Sequence, residues 1–195
     1  MVSLALVGMP GSGKSTVGRH LARQLGWRFL DSDHEIESAV GCPVRVLFEQ
    51  RGEAFFRDLE QETIAVLCQQ PQTVLATGGG AVLREANRQA LKAHSQVIYL
   101  RSTPEELYRR LRHDSHRPLL QVNDPLRRLR ELYRERDPLY RETSQFIIET
   151  GRPSVPTLVN MVLMQLELAG LVDPMQVLAT VGRVLPPVAG SSGRD

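Results

Sequence analysis

Residues 8–15 read GMPGSGKS and match the phosphate-binding loop pattern G-x-x-x-x-G-K-[ST] at every fixed position. The preceding run, residues 2–7, is short and apolar, which is typical of a buried parallel strand. The following run, residues 17–25, places its apolar residues on one helical face. A strand, a glycine loop and a helix in this order predict a nucleoside triphosphate site. The alternative, a surface loop that matches by chance, does not explain the flanking strand and helix.

The residue types in the loop suit the binding of phosphate. Its glycines let several backbone N–H groups converge on one phosphate, and the following helix adds the positive end of its dipole. Lys14 brings a full charge and is one of only two lysines among the 24 basic residues. The hydroxyl of Ser15 is a natural Mg²⁺ ligand. We therefore expect this segment to bind ATP through Gly11, Ser12, Gly13, Lys14, Ser15 and Thr16.

The composition is that of one globular domain with no strong electrostatic preference. The chain has 195 residues, 42% of them hydrophobic and 24% charged, with a net charge of +2. That balance gives no general attraction to nucleic acid or membrane, and we expect neither as a partner. Cys42 and Cys68 lack metal-ligand spacing and read as small apolar residues in a reduced compartment. The N-terminus lacks the pattern of a signal peptide, so we expect a cytoplasmic protein. We also expect it to be a monomer.

Two carboxylates follow the second predicted strand, residues 27–30. Asp31 and Asp33 are two residues apart, and we expect both side chains to point the same way at the strand end. In an open α/β sheet that end faces the ligand crevice. The alternative is that Ser32 or Asp33 caps the next helix, predicted at 35–40, but capping does not need a second acid.

A third strand, predicted at 73–77, runs into three glycines at 78–80. A glycine triplet alone usually marks a loop, but here it follows a strand end, where exposed N–H groups can meet a ligand. A helix predicted at 53–69 carries Arg57 and Glu60 on one face. On the surface this pair would contribute little stability, whereas in a cleft Glu60 would hold the Arg57 guanidinium in place to meet a carboxylate.

The rest of the chain continues the alternation of helices and strands. The predicted order gives an α/β fold of three layers, α/β/α, around a five-stranded parallel sheet. Residues 113–124 show weak periodicity and read as a mobile loop within a domain spanning 1–170. Residues 171–195 form an extension with a possible helix at 173–185 and then a disordered tail. The remaining predicted elements are helices at 85–93, 104–112, 125–136 and 156–168 and strands at 96–100 and 146–148.

Six short motifs follow one another along the chain: GMPGSGKST at 8–16, DSD at 31–33, FFRDLE at 55–60, GGG at 78–80, RPLL at 117–120 and RxxxY at 136–140. Taken together, these motifs resemble those of the shikimate kinase family of the nucleoside-monophosphate-kinase-like group. The resemblance runs from residue 3 to about residue 168. It implies a P-loop kinase fold with a mobile lid at about 113–124, and ATP-dependent phosphorylation of the 3-hydroxyl of shikimate with Mg²⁺, a step in chorismate and aromatic amino-acid biosynthesis.

The resemblance also implies a substrate site. Arg57 and Arg136 would hold the shikimate carboxylate, with the planar geometry that suits a guanidinium fork. Asp33 would orient the attacking hydroxyl, and Gly79 and Gly80 would contribute backbone N–H groups.

On the nucleotide side, the resemblance implies that Asp31 reaches Mg²⁺ through water while Ser15 coordinates it directly. Arg117 would close over the β- and γ-phosphates, and the catalytic residues would be Lys14, Asp33 and Arg117. Arg110 and Arg152 would cover the adenine. Arg109 and Arg112 lie beside Arg110, and which of the three covers the base stays open.

Other functions fit the sequence less well. A gluconate-kinase-like or adenylate-kinase-like enzyme would share the loop and lid but lack the DSD, FFR and GGG set. A GTPase would carry an N-K-x-D signature, which is missing. A catalytically dead nucleotide-binding module would show decay at Lys14, Asp33, Arg117 or Arg136, and all four are present. A nucleic-acid-binding protein would need an extended basic stripe with interleaved aromatic residues.

Overall fold

The computed structural model describes residues 2–112, 122–151 and 153–173. Most of the predicted lid, the predicted helix at 173–185 and the tail therefore lie outside the described residues, as do Arg117 and Arg152. A 3₁₀ turn, Ala81–Leu83, follows the third strand. The elements are β1 Leu4–Val7, α1 Lys14–Leu25, β2 Arg28–Asp31, α2 Ser32–Val40, α3 Val44–Leu67, β3 Thr73–Ala76, α4 Glu85–His94, β4 Gln96–Arg101, α5 Pro104–Leu111, α6 Pro125–Thr143, β5 Phe146–Glu149 and α7 Val155–Leu168.

The described strands form one parallel sheet of five strands in the order β2-β3-β1-β4-β5. Alternate residues of β1 pack into two separate hydrophobic cores, because successive side chains of a strand point to opposite faces of the sheet. Leu4 and Leu6 pack with α1 and α7, whereas Ala5 and Val7 pack with α3, α4 and α6. The predicted three-layer α/β fold is confirmed. Its central strand ends at the glycine loop, so the other strand ends surround that loop.

Helix α3 is interrupted at Gly52, which has φ 82° and ψ 168°. Glycine reaches this left-handed region without strain, so the chain can change direction there. Both parts of α3 pack with α2 in a small apolar cluster, to which Leu47 contributes from before the break, Phe56 from after it and Ile36 from α2. The sequence predicted a helix that begins at residue 53, and the break at Gly52 agrees with that start.

Helix α6 is longer than predicted. The expected end at about residue 136 is wrong, because the helix continues through Pro138 to Thr143. Proline removes one helical hydrogen bond, but the turns that follow bury Tyr140 and Thr143 against the sheet. Arg136 and Tyr140 therefore lie on one continuous helix, one turn apart. Within the described residues, we find no helix that is both long and apolar enough to cross a bilayer.

Candidate active site

The glycine loop connects β1 to α1 and is held by backbone packing. A side chain at Gly8 would fall 2.6 Å from the carbonyl oxygen of Leu100, so only glycine fits there. Gly13 caps α1 with φ 94°, a conformation that glycine tolerates best. The ammonium of Lys14 is buried and donates to the carbonyls of Gly8 and Met9 at 2.8 and 2.9 Å. The loop therefore positions a charged donor at the first turn of α1.

This loop forms one wall of a cleft of about 440 Å³. Five of the predicted ATP-binding residues line the cleft, and Ser12 is buried behind it with a hydroxyl that has no partner among the described residues. The opposite wall comes from the ends of β2 and β3 and the start of α2. Leu111, at the end of α5, covers Gly11. The predicted residues that line the cleft are Gly11, Gly13, Lys14, Ser15, Thr16, Asp31, Asp33 and Gly79.

Asp31 joins the glycine loop to β2. Its Oδ2 accepts a hydrogen bond from the Ser15 hydroxyl at 2.6 Å, and its Oδ1 accepts from the backbone N–H groups of Asp33 and His34. Asp31 is therefore the N-cap of α2, and the alternative that Ser32 or Asp33 caps the helix is wrong. The hydroxyl of Ser32 is buried and accepts from the N–H of Gly78 at 3.0 Å.

The Ser15 and Asp31 pair fits a magnesium ion. Mg²⁺ in kinases is bound by one or two protein oxygens, and the other ligands are water and substrate phosphates. A hydroxyl and a carboxylate 2.6 Å apart, beside the buried Lys14, supply such a pair. Within the described ranges, no group of three or more His, Cys, Asp or Glu could hold a metal ion alone. The donor set therefore suits an ion that arrives with a triphosphate.

Asp33 lies in the first turn of α2 and not on the strand. The expected geometry, two strand carboxylates pointing the same way, is therefore wrong, although both carboxylates face the same cleft. Burial raises the pKa of Asp33 to about 6, and the negative charges of Glu60 and Asp31 add to the increase, while Lys14 lowers it. Its Oδ1 is buried and has no hydrogen-bond partner among the described residues. Such an oxygen can accept a hydrogen bond from a ligand hydroxyl.

The three glycines, Gly78 to Gly80, form a strap that lies between the loop and α3. A side chain at Gly78 would fall 2.6 Å from Oδ1 of Asp33, and one at Gly79 would fall 2.5 Å from Cδ of Pro10. Glycine is needed here for close approach rather than for conformation. The N–H groups of Gly79 and Gly80 have no acceptor in the part of the chain that the structure describes. They remain available to a ligand, and substrate binding by Gly79 and Gly80 stays a prediction.

The spacing of Arg57 and Glu60 on α3 produces the predicted ion pair. Nη1 of Arg57 lies 2.6 Å from Oε2 of Glu60, and the two side chains are 12% and 0% exposed. Arg57 also contacts the exposed Glu53 at 3.1 Å. A side chain at Gly80 would fall 2.6 Å from Cζ of Arg57, so the guanidinium lies directly against the strap. Its position is therefore fixed from two sides.

Arg136 completes this group from the side of α6. Burial raises the pKa of Glu60, and the charges of Arg57 and then Arg136 act against that increase. Arg136 therefore lies near the same carboxylate as Arg57. Its Nε is buried and has no partner among the residues that the structure describes. Arg57, Gly80 and Arg136 do not line the cleft. Gly80 follows Gly79, which does line it, and Arg57 lies directly against Gly80.

Arg110 lies at the carboxyl ends of β4 and β5. Its guanidinium donates to the hydroxyl of Ser102 at 3.2 Å and to the carbonyl of Thr150. The neighbouring side chains of Arg109 and Arg112 are also exposed. An adenine-covering role for Arg110 stays a prediction.

Sequence reasoning assigned no role to Tyr140, although it closes the RxxxY motif. The Tyr140 hydroxyl donates to the carbonyl of Gly79 at 2.5 Å, across 61 residues of sequence. Ser32 was considered only as a cap. Tyr140 and Ser32 each lie inside a short motif that also contains charged site residues, and this position could have pointed to them.

Comparisons with known proteins identify the family of this chain. The family described as shikimate kinase matches residues 10–167. A shikimate kinase of Paracidovorax citrulli is 56% identical over 176 residues, which are 89% of this chain and 96% of that relative. A shikimate kinase of Burkholderia lata is 58% identical over 171 residues, 87% of this chain and 93% of that relative. The structure described as shikimate kinase from Acinetobacter baumannii in complex with shikimate has a TM-score of 0.83 at 44% identity, covering 89% of this chain and 96% of that one. Because these matches span most of its length, the chain belongs to the shikimate kinase family.

Proposed function

We propose that this protein transfers the γ-phosphoryl group of ATP to the 3-hydroxyl of shikimate, giving shikimate 3-phosphate and ADP. The reaction is a step in chorismate and aromatic amino-acid biosynthesis. Membership of the family supports it, as does the likeness to an Acinetobacter baumannii structure whose description names bound shikimate. The choice of the 3-hydroxyl rests on the resemblance. The observation that carries the proposal is that Asp33 lies between the Lys14 loop and the Arg57–Glu60 pair.

In this proposal the glycine loop binds the triphosphate. The ammonium of Lys14 exchanges its bonds to loop carbonyls for bonds to phosphate oxygens, because its hydrogen bonds to a charged acceptor are stronger. The Ser15 and Asp31 oxygens would hold Mg²⁺, which would supply positive charge to neutralise the phosphate oxygens. Arg117, Arg110 and Arg152 act on the same nucleotide, as the resemblance implies.

The acceptor is held at the opposite wall. Arg57, fixed by Glu60, and Arg136, with its unpartnered Nε, bind the carboxylate of shikimate. The N–H groups of the strap bind ring oxygens. Asp33 accepts a hydrogen bond from the attacking hydroxyl and takes its proton as the new P–O bond forms. The bond from the γ-phosphorus to the bridging oxygen breaks, and ADP leaves.

Placement and charge, rather than strong base catalysis, carry this reaction, because phosphoryl transfer passes through a loose transition state. A carboxylate with a pKa of about 6 is mostly ionised at pH 7.5 and can accept the proton late in the reaction. The cytoplasmic location and the monomeric state stay predictions from the sequence.

A coupled ADP-release assay tests the proposal. Purified protein with Mg-ATP is offered shikimate, gluconate or a nucleoside monophosphate, and the product is identified by ³¹P NMR as a phosphate ester. We expect turnover with shikimate only. Turnover of gluconate or of a nucleoside monophosphate, with none of shikimate, would overturn the assignment.

A further inference from the structure

Tyr140 connects α6 to the glycine strap. Its side chain is fully buried, and its hydroxyl donates to the carbonyl oxygen of Gly79 at 2.5 Å. Burial raises the pKa of Tyr140 above its usual range, so the hydroxyl keeps the proton that it donates. This buried hydroxyl therefore anchors a loop that packs against both Pro10 and Arg57.

The hydrogen bond also sets the direction of a backbone donor. The carbonyl of Gly79 and the N–H of Gly80 belong to one trans peptide plane, in which they point in opposite directions. A hydroxyl that holds the carbonyl toward α6 therefore aims the N–H of Gly80 away from α6. That N–H has no acceptor among the described residues, whereas the N–H of Gly78 donates to the Ser32 hydroxyl and the N–H of Ala81 donates to the carbonyl of Gly78. Without the hydroxyl, the peptide plane is free to rotate.

Tyr140 is also close to the guanidinium that the proposed function places on the substrate carboxylate. Arg136 and Tyr140 are four residues apart, so they share one face of α6. Arg136 lies near enough to the hydroxyl for its charge to oppose the effect of burial on the Tyr140 pKa. One phenol therefore adjoins both a side-chain donor and a backbone donor of the same pocket.

We propose that Tyr140 is a positioning residue for the acceptor substrate: its hydroxyl orients the Gly79–Gly80 peptide and keeps Arg136 beside it. The inference rests on the proposed function, and it adds a residue to which neither the motifs nor the resemblance assigns a role. Tyr140 is not among the residues that line the cleft at the glycine loop. Its removal therefore weakens the binding of shikimate and leaves the binding of ATP unchanged.

The chain offers a matched control in Tyr99. Its ring lies 4.9 Å from the ring of Tyr140, and it is equally buried. Its hydroxyl donates to Oδ1 of Asp137 at 2.8 Å and makes no contact with the strap. Tyr99→Phe and Tyr140→Phe each delete one buried phenolic hydroxyl from the same aromatic pair and keep the ring packing. Only the second deletion releases the strap.

The experiment measures Kd by calorimetry and KM by the coupled assay, for shikimate and for ATP, in the wild type and both variants. We expect Tyr140→Phe to raise Kd and KM for shikimate about tenfold, because the Gly80 N–H is no longer held in place and roughly one hydrogen bond to the substrate is lost. Its KM for ATP stays within twofold, and Tyr99→Phe stays within twofold for both substrates. Melting temperatures show that both variants are folded.

The outcomes separate this inference from the proposed function. If the wild type turns over shikimate and Tyr140→Phe binds it within twofold of the wild type, the positioning role is wrong. If Tyr140→Phe and Tyr99→Phe weaken both substrates equally, Tyr140 is only part of the core, and the inference is also overturned. If the wild type neither binds nor turns over shikimate, the proposed function fails, and this role for Tyr140 fails with it.

Discussion

Replacing Asp33 with asparagine should stabilise the fold while removing activity. Its carboxylate is partly buried beside Glu60 and Asp31, which raises its pKa from 3.8 to about 6. Keeping this group ionised in the folded state therefore destabilises the protein at neutral pH. The difference between the two pKa values corresponds to ~3 kcal/mol, at about 1.4 kcal/mol for each pH unit.

The sign and the pH range follow from the same two pKa values. Because the folded pKa is higher than the unfolded one, the wild type gains stability from Asp33 as the pH falls from about 6 to about 4. An asparagine side chain does not titrate, so the stability difference between Asp33→Asn and the wild type depends on pH. We expect the variant to be more stable by ~3 kcal/mol at pH 7.5 and by about half of that at pH 5.

Urea denaturation at pH 5 and pH 7.5 measures this difference. Glu62→Gln, a change at an exposed carboxylate, serves as the control and should change stability by less than about 0.5 kcal/mol at both pH values. The wild-type kcat/KM for shikimate should rise with pH through about 6. Asp33→Asn should lower it by about 10²-fold or more. The reasoning would be refuted if Asp33→Asn were less stable than the wild type at pH 7.5. It would also be refuted if the stability difference between Asp33→Asn and the wild type were the same at both pH values.

Three further substitutions test the rest of the site. Arg57→Ala should raise the Kd for shikimate far more than the Kd for ATP. It should also destabilise the fold by about 3 kcal/mol, because the buried Glu60 loses its cation. Loss of ATP binding with shikimate binding intact would contradict the placement of the substrate pocket. Gly80→Ala should raise the KM for shikimate with little change in melting temperature, since the new methyl group displaces only the far end of the Arg57 side chain; an unchanged KM would argue against that contact. Ser15→Ala should raise the Mg²⁺ concentration for half-maximal rate about tenfold or more, whereas Ser15→Thr, which keeps the hydroxyl, should not; an equal effect of the two would exclude a ligand role.

The sequence predicted the parts of the fold that have local causes. The apolar strand before residue 8 and the helical periodicity after it are read from neighbouring residues. The pairing of Arg57 with Glu60 is local too, because residues three apart share a helix face. Such signals sufficed for the order of the layers and for the Arg57–Glu60 pair, whereas Arg136 was selected by the family resemblance.

Other features depend on contacts that are distant in sequence. Asp31 serves both as a helix cap and as the partner of Ser15, and the second contact exists only once α1 and β2 pack together. Helix α6 continues past Pro138 because burial of the following turn outweighs the lost hydrogen bond. The bond from Tyr140 to Gly79 crosses 61 residues. Local patterns carry no information about such pairs.

A crystal structure with shikimate and a non-hydrolysable Mg-ATP analogue tests the central claim most directly. We predict that the carboxylate contacts Arg57 and Arg136, while one ring hydroxyl lies within hydrogen-bond distance of Asp33 and about 3–3.5 Å from the γ-phosphorus, in line for transfer. The phosphates should lie on the N–H groups of the glycine loop and on Lys14. Shikimate bound outside the cleft, or with its carboxylate on Lys14 and its hydroxyls turned away from Asp33, would contradict the account.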